Sequence, residues 1–148
     1  MPSTHLSLHY HIVFSTKGRQ HFIEPDWRDR LHSFLGGTIK TAGGVPLAIN
    51  GTRDHVHLLI GLRATHRLAD FVQDIKQTSS QWIHQRIGLR QFSWQTGYGA
   101  FTVSASNVVA VTKYIDHQEE HHRTKTFQEE YVAFLEKHGV KYEERFLW

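Results

Sequence analysis

Apolar side chains alternate through Leu6, Leu8, Tyr10, Ile12 and Phe14 until the chain reaches Ser15-Thr16-Lys17-Gly18. That period predicts a first strand over 5–14 that ends in a turn. After Pro25, Leu31, Phe34, Leu35, Thr38 and Ile39 recur at helical spacing, and Gly43-Gly44 supplies the glycine stop expected just past a helix. Val45–Asn50 and His55–Gly61 read as two strands joined through Gly51-Thr52-Arg53-Asp54, hence an antiparallel pair. From Leu68, the positions Phe71, Val72, Ile75, Trp82, Ile83 and Ile87 trace one face of a long helix closed by Gly88. Tyr98–Ser104 predicts a fourth strand. Asn107 then opens a helix to about His122, with Val108, Val111 and Ile115 on its apolar stripe. A last helix starts at Thr126, where Thr126 and Glu129 have capping-box spacing, and ends at Gly139 after Phe127, Tyr131, Phe134 and Leu135. The order βαββαβ plus two C-terminal helices predicts an α+β fold. Its sheet is a ferredoxin-like or RRM-like antiparallel one with helices on one face, in a single domain over 1–148.

Composition narrows what such a domain does. A length of 148 residues fits one ordinary domain, and a 39% hydrophobic content suffices for a real core. The absence of cysteine excludes a disulfide scaffold, a thiol nucleophile and any Cys-ligated zinc or iron-sulfur site. Apolar runs fall short of the ~20 residues of a membrane helix, and the start lacks the order of a signal peptide, so the expectation is a cytoplasmic protein with no membrane contact. A net charge of +3 is a mild pointer to a polyanionic partner. Thirteen histidines are the anomaly.

In His55-Val56-His57 the two imidazoles project from the same face of a strand, which makes a bidentate platform for a metal ion; His9 and His11 repeat the spacing. No His-Glu-x-x-His helix offers a zinc-hydrolase alternative. Tyr114 and Gln118 are four residues apart on the flank of a helix. If that flank faces the strand of His55 and His57, the Gln118 amide oxygen can complete a metal site with the Tyr114 phenol beside it.

Together with Trp94-Gln95-Thr96-Gly97-Tyr98-Gly99-Ala100-Phe101 and the His121-His122 pair, these residues make a sequence that resembles the single-tyrosine HUH transposases of small insertion sequences and REP-associated elements. The resemblance runs from Tyr10-His11-Ile12-Val13-Phe14 to the Phe127 helix. It implies a metal-dependent strand transferase acting on single-stranded or hairpin DNA. His55, His57 and Gln118 would hold Mg or Mn, and Tyr114 would attack the scissile phosphate to leave a 5′-phosphotyrosine and a free 3′-hydroxyl. A phenol with an ordinary pKa near 10 needs such a cation, which favours phenolate and neutralises charge developing on phosphorus. His121 and His122 are candidates for the general base. Lys17, Arg19, Lys76 and Arg123 are candidate nucleic-acid contacts; single-stranded DNA can also be gripped by stacking on aromatics such as Phe22, Trp27, Phe92 or Trp94, but most of these read as core. No second tyrosine shares the helix of Tyr114, which separates the chain from two-tyrosine relatives.

The resemblance also implies a homodimer. The strands 98–103 and 9–14 are apolar enough to be sheet edges that need covering, and the short Ser104-Ala105-Ser106 connection would let the tyrosine helix cross to the partner. The rival readings are a non-catalytic RRM-like nucleic-acid-binding protein and a domesticated transposase. Against the first, Thr96 stands before the Gly97-Tyr98 pair where the RRM motif has a basic residue, and Ala100 shifts Phe101 to the opposite sheet face.

Overall fold

Side chains along a strand point alternately to opposite faces, and here the two faces carry different chemistry. The structure, a computed structural model, describes residues 3–147; Met1, Pro2 and Trp148 lie outside the described residues. Four strands, β1 (His9–Ser15), β2 (Val45–Gly51), β3 (His55–Gly61) and β4 (Gly99–Val103), form one sheet in the order β2-β3-β1-β4. Every neighbouring pair is antiparallel.

On one face, Ile12, Phe14, Val56, Leu58 and Ile60 pack against α1 (Pro25–Thr41) and α2 (Leu68–Trp82) through Leu31, Leu35, Ile39, Phe71, Val72 and Ile75. These side chains are almost wholly buried, and each contributes about 1.5–3 kcal/mol of burial free energy. The sequence stop signals act as expected. Gly43 takes φ +87°, and the Gly43 and Gly44 N–H groups donate to the carbonyls of Lys40 and Ile39, a Schellman motif that closes α1. The second long helix runs past α2 into a π turn, Ile83–Ile87, and stops at Gly88.

The opposite face is covered by the C-terminal segments α3 (Val108–Asp116), α4 (Gln118–His121) and α5 (Phe127–Lys137). Ile115 meets Ala48, Leu59 and Val103, with Val108 and Val111 packed alongside. Phe127, Tyr131 and Leu135 meet Val13 and Phe101. Gly99 makes that approach possible, because a Cβ there would lie 2.8 Å from the Tyr131 ring. The fold is thus α+β, an antiparallel four-stranded sheet with α1 and α2 on one face plus the C-terminal helices.

Two expectations are revised. The strand over 5–14 is not an edge: β1 begins at His9, where its partner β3 ends at Gly61, and lies centrally between β3 and β4, leaving β2 and β4 as the edges. The helix expected from Asn107 to His122 breaks at His117 (φ −106°, ψ 25°). There the Asn50 amide of β2 donates to the Ile115 and Asp116 carbonyls at 2.9 and 3.2 Å, taking acceptors that a continuous helix would have used. Trp27, Phe92 and Trp94 are buried and Phe22 packs on the same cluster, so these aromatics belong to the core, as the sequence reading favoured for most of them. Among the described residues no helix is long and apolar enough to cross a membrane.

Candidate metal centre

The pleat that sends Val56 and Leu58 into the apolar core sends His55 and His57 to the other face, where both are fully buried. The break at His117 starts a new short helix at Gln118, which is buried as well. Its amide oxygen lies 3.2 Å from His55 Nε2 and 3.0 Å from His122 Nε2. His55, His57 and Gln118 therefore come together as the sequence predicts, with two further groups it did not bring in.

The first is Glu130 on α5, 2% exposed. Its Oε1 lies 2.9 Å from His57 Nε2, 3.3 Å from His122 Nε2 and 3.7 Å from His55 Nε2. Its Oε2 accepts hydrogen bonds from the Gln118 amide nitrogen at 3.1 Å and from the Tyr114 hydroxyl. The second is His11 on β1, buried behind His57 with Nε2 2.7 Å from His57 Nδ1. Both had a sequence signal. Glu130 stands three residues after Phe127 and four before Phe134, on the apolar stripe of α5, while His11 shares the face of Val13.

The imidazoles are held in one common orientation. His55 Nδ1–H donates to the Asp54 carboxylate at 2.7 Å, and His122 Nδ1–H donates to the Lys125 carbonyl at 2.7 Å. When neutral, both rings present a bare Nε2 lone pair to the interior of the site. Gln118 points its oxygen the same way, because its nitrogen is committed to Glu130. Lone pairs that converge like this repel unless a proton or a cation sits among them. His55, His57, His122 and Glu130 each place a ligand atom within 4.8 Å of the others. Metal–nitrogen and metal–oxygen bonds of ~2.0–2.2 Å put neighbouring donors ~3–4 Å apart, so the set suits a divalent ion. Asp54, His11 and the Lys125 carbonyl then form the outer layer that fixes ligand rings in metal sites.

Burial, against partial compensation by Glu130, holds the His57 imidazole at a pKa of about 4, so it is neutral near pH 7 and competent as a ligand. Burial also lowers His11. For Glu130 burial opposes the charge, but hydrogen bonds with His122 and His57 outweigh it and hold the carboxyl well below its usual range. Those same contacts raise His122 against the effect of its burial. The Tyr114 phenol is pushed well above its ordinary value, first by burial and then by its hydrogen bond to the anionic Glu130.

Tyr114 sits at the open side of the site: it is only half-buried, its hydroxyl is 3.2 Å from His121 Nε2, and the His121 side chain is 27% exposed. The two candidate bases differ in place, His121 beside the phenol and His122 among the ligands. The basic residues lie apart from one another. Lys17 is exposed in the turn after β1, and Arg19 is in the same turn at φ 56°. The Lys76 ammonium donates to the Gln95 and Gly97 carbonyls at 2.7 and 2.6 Å, and burial lowers its pKa to about 8. Arg123 is exposed beyond α4. Within the single chain the tyrosine helix packs on its own sheet and completes the cluster.

The chain is similar to known proteins along most of its length. Residues 4–118 match the family model described as "Transposase IS200 like". The transposases for insertion sequence element IS200 of Salmonella typhimurium and Salmonella typhi are each 27% identical over 115 residues, covering 74% of this chain and 75% of theirs. Among solved structures, a transposase-like protein of Deinococcus radiodurans superposes with a TM-score of 0.62 at 24% identity, over 80% of this chain and 96% of that one. A REP-associated tyrosine transposase bound to a REP hairpin superposes with a TM-score of 0.57 at 12% identity, over 79% and 72%.

Proposed function

Because the chain belongs to the IS200-like transposase family, we propose that it is a single-tyrosine transposase that cuts and rejoins single-stranded DNA at element ends. The observation that carries this reading is the meeting of His55, His57 and Gln118 with Tyr114 around one buried point. In this reading His55, His57 and Gln118 hold a divalent ion, Mg or Mn. When bound, the ion polarises the scissile phosphate and stabilises the phenolate.

The chain's own residues do the rest. Tyr114 Oη attacks phosphorus, the bond from phosphorus to the 3′ oxygen breaks, and the 3′-hydroxyl leaves with a proton. The 5′ side stays linked to Tyr114 as a phosphodiester, so the step conserves bond energy and reverses when another 3′-hydroxyl attacks. In this reading His121, 3.2 Å from the phenol oxygen and partly open to water, takes the tyrosine proton once the hydroxyl turns away from the Glu130 carboxylate that holds it in the resting site. A phosphate reaches the site from the Tyr114 and His121 side, since the other sides are closed by the sheet and α5. Phosphate contacts fall to Lys17, Arg19 and Arg123, while Lys76 orders the 95–97 loop.

An RRM-like binding role fits less well, because the sheet face on which such a module stacks bases is covered by α3 to α5. A domesticated protein would keep this site but serve a host function. Labelled single-stranded DNA carrying the flanking hairpin should give a protein–DNA adduct that survives a denaturing gel, and Tyr114→Phe should abolish it; an undiminished adduct in that variant overturns the assignment. For a homodimer with sites inside each chain, mixing His57→Ala with Tyr114→Phe chains restores no cleavage, whereas restored cleavage means the helix crosses over.

A further inference from the structure

Resting on the metal-site reading above, we propose that Glu130 is the anionic ligand of the ion, joined by His122, so that the centre loads with metal before DNA arrives. Two imidazoles and an amide are all neutral, and a site built from them alone would depend on the DNA phosphate for charge. Glu130 removes that dependence. Its Oε1 faces the Nε2 atoms of His57, His122 and His55 at 2.9, 3.3 and 3.7 Å, while its Oε2 holds the Tyr114 hydroxyl. One carboxylate thus touches both the ligand cluster and the nucleophile.

Three observations favour a ligand over a structural ion pair. A carboxylate on the apolar stripe of α5, 2% exposed and aimed at the sheet, carries a large desolvation cost that needs a strong partner. The rings of His55 and His122 are locked through Nδ1, which leaves Nε2 free to bind an ion and not to donate to Glu130 when neutral. Gln118 is turned by Glu130 itself, through the 3.1 Å bond to Oε2, so that its oxygen joins the donors. Residues 4–118 carry the family match, so Glu130 and His122 enter the site from the segment beyond it.

The test is a Mn²⁺ titration of the whole protein without DNA, followed by the electron paramagnetic resonance signal of free Mn²⁺, on the wild type, Glu130→Gln and His57→Ala. The wild type should bind one ion, and both variants should bind at least tenfold more weakly. If Glu130→Gln binds as the wild type does, or more tightly, while His57→Ala is weakened, Glu130 is only a counter-ion to protonated histidines; the proposal fails and the transposase reading stands. A wild type that binds Mn²⁺ only when DNA is added also overturns it. If His57→Ala binds like the wild type, the metal-site reading itself has failed. Circular dichroism checks that Glu130→Gln is folded. Should it not be, Glu130→Asp keeps the charge one methylene short and should bind at least threefold more weakly, with wild-type binding counting against a ligand.

Discussion

The two faces of the sheet are made by the same strands and differ in nearly every other respect. Toward α1 and α2, β1 and β3 present Ile12, Phe14, Val56, Leu58 and Ile60, an uninterrupted apolar layer. Toward α3 to α5 the alternate residues include His11, His55 and His57, and the covering helices add Gln118, His122 and Glu130. One face is apolar throughout, and the other divides its burial between apolar clusters around Phe101 and Ile115 and a group of titratable side chains. The lesson is that a polar cluster can be buried in a domain of this size when apolar packing surrounds it on its own face and fills the other. The buried polar face is tolerable in turn because its groups satisfy one another.

The comparison breaks most completely when the two alternate histidines of β3 are replaced together. His55→Ala with His57→Ala should abolish metal-dependent cleavage of single-stranded DNA, a loss of at least ~10³-fold, as should excess EDTA on the wild type. Retained cleavage in either case would mean that the polar face is not the catalytic one. Leu58→Ala, whose side chain is 1% exposed on the other face, should instead lower the unfolding free energy by about 3 kcal/mol in urea titrations, with adduct formation kept at temperatures where the variant is folded.

A smaller effect sharpens the contrast through pH. His32, on α1, has its pKa lowered from 6.5 to about 4, chiefly by burial and against the pull of Asp29. The folded state therefore binds fewer protons than the unfolded chain in this window. Stability present above pH 6.5 is lost as pH falls toward 4. His57, lowered to about 4 by burial, adds to the same acid loss in metal-free protein. His32→Gln should flatten the fall in urea stability between pH 7 and 4.5 without removing it; an unchanged slope would mean that His32 does not contribute. The smallest expected effect is at the cap of α5, the helix that carries Glu130. Thr126 accepts from the Glu129 N–H and Glu129 returns to the Thr126 N–H, so Thr126→Ala should cost about 1 kcal/mol in thermal or urea unfolding.

The order of strands and helices, the Schellman end of α1, the capping box of α5 and the His55-Val56-His57 platform were all legible in the sequence. Each depends on residues within a few positions of one another, where period and stereochemistry act directly. Tyr114 and Gln118 could be paired by helical spacing, yet the route by which they meet could not. It depends on Asn50, distant in the chain, taking the carbonyls at the end of α3 and breaking the helix before Gln118.

Sheet order was likewise decided in three dimensions, since β-branched and aromatic richness marks a strand as buried without saying whether it has one neighbour or two; β1 proved to have two. Glu130 is the sharpest case. Its spacing from Phe127 and Phe134 sets it on the apolar stripe of α5, but that spacing does not say what the carboxylate meets there. Only the packing of α5 across β1 and β4 turns that carboxylate inward against His57, its partner 73 residues earlier in the chain. Local interactions wrote the elements and half of the site. The remainder came from long-range packing, because which helix covers a sheet face is settled by the shapes and burial of both surfaces together.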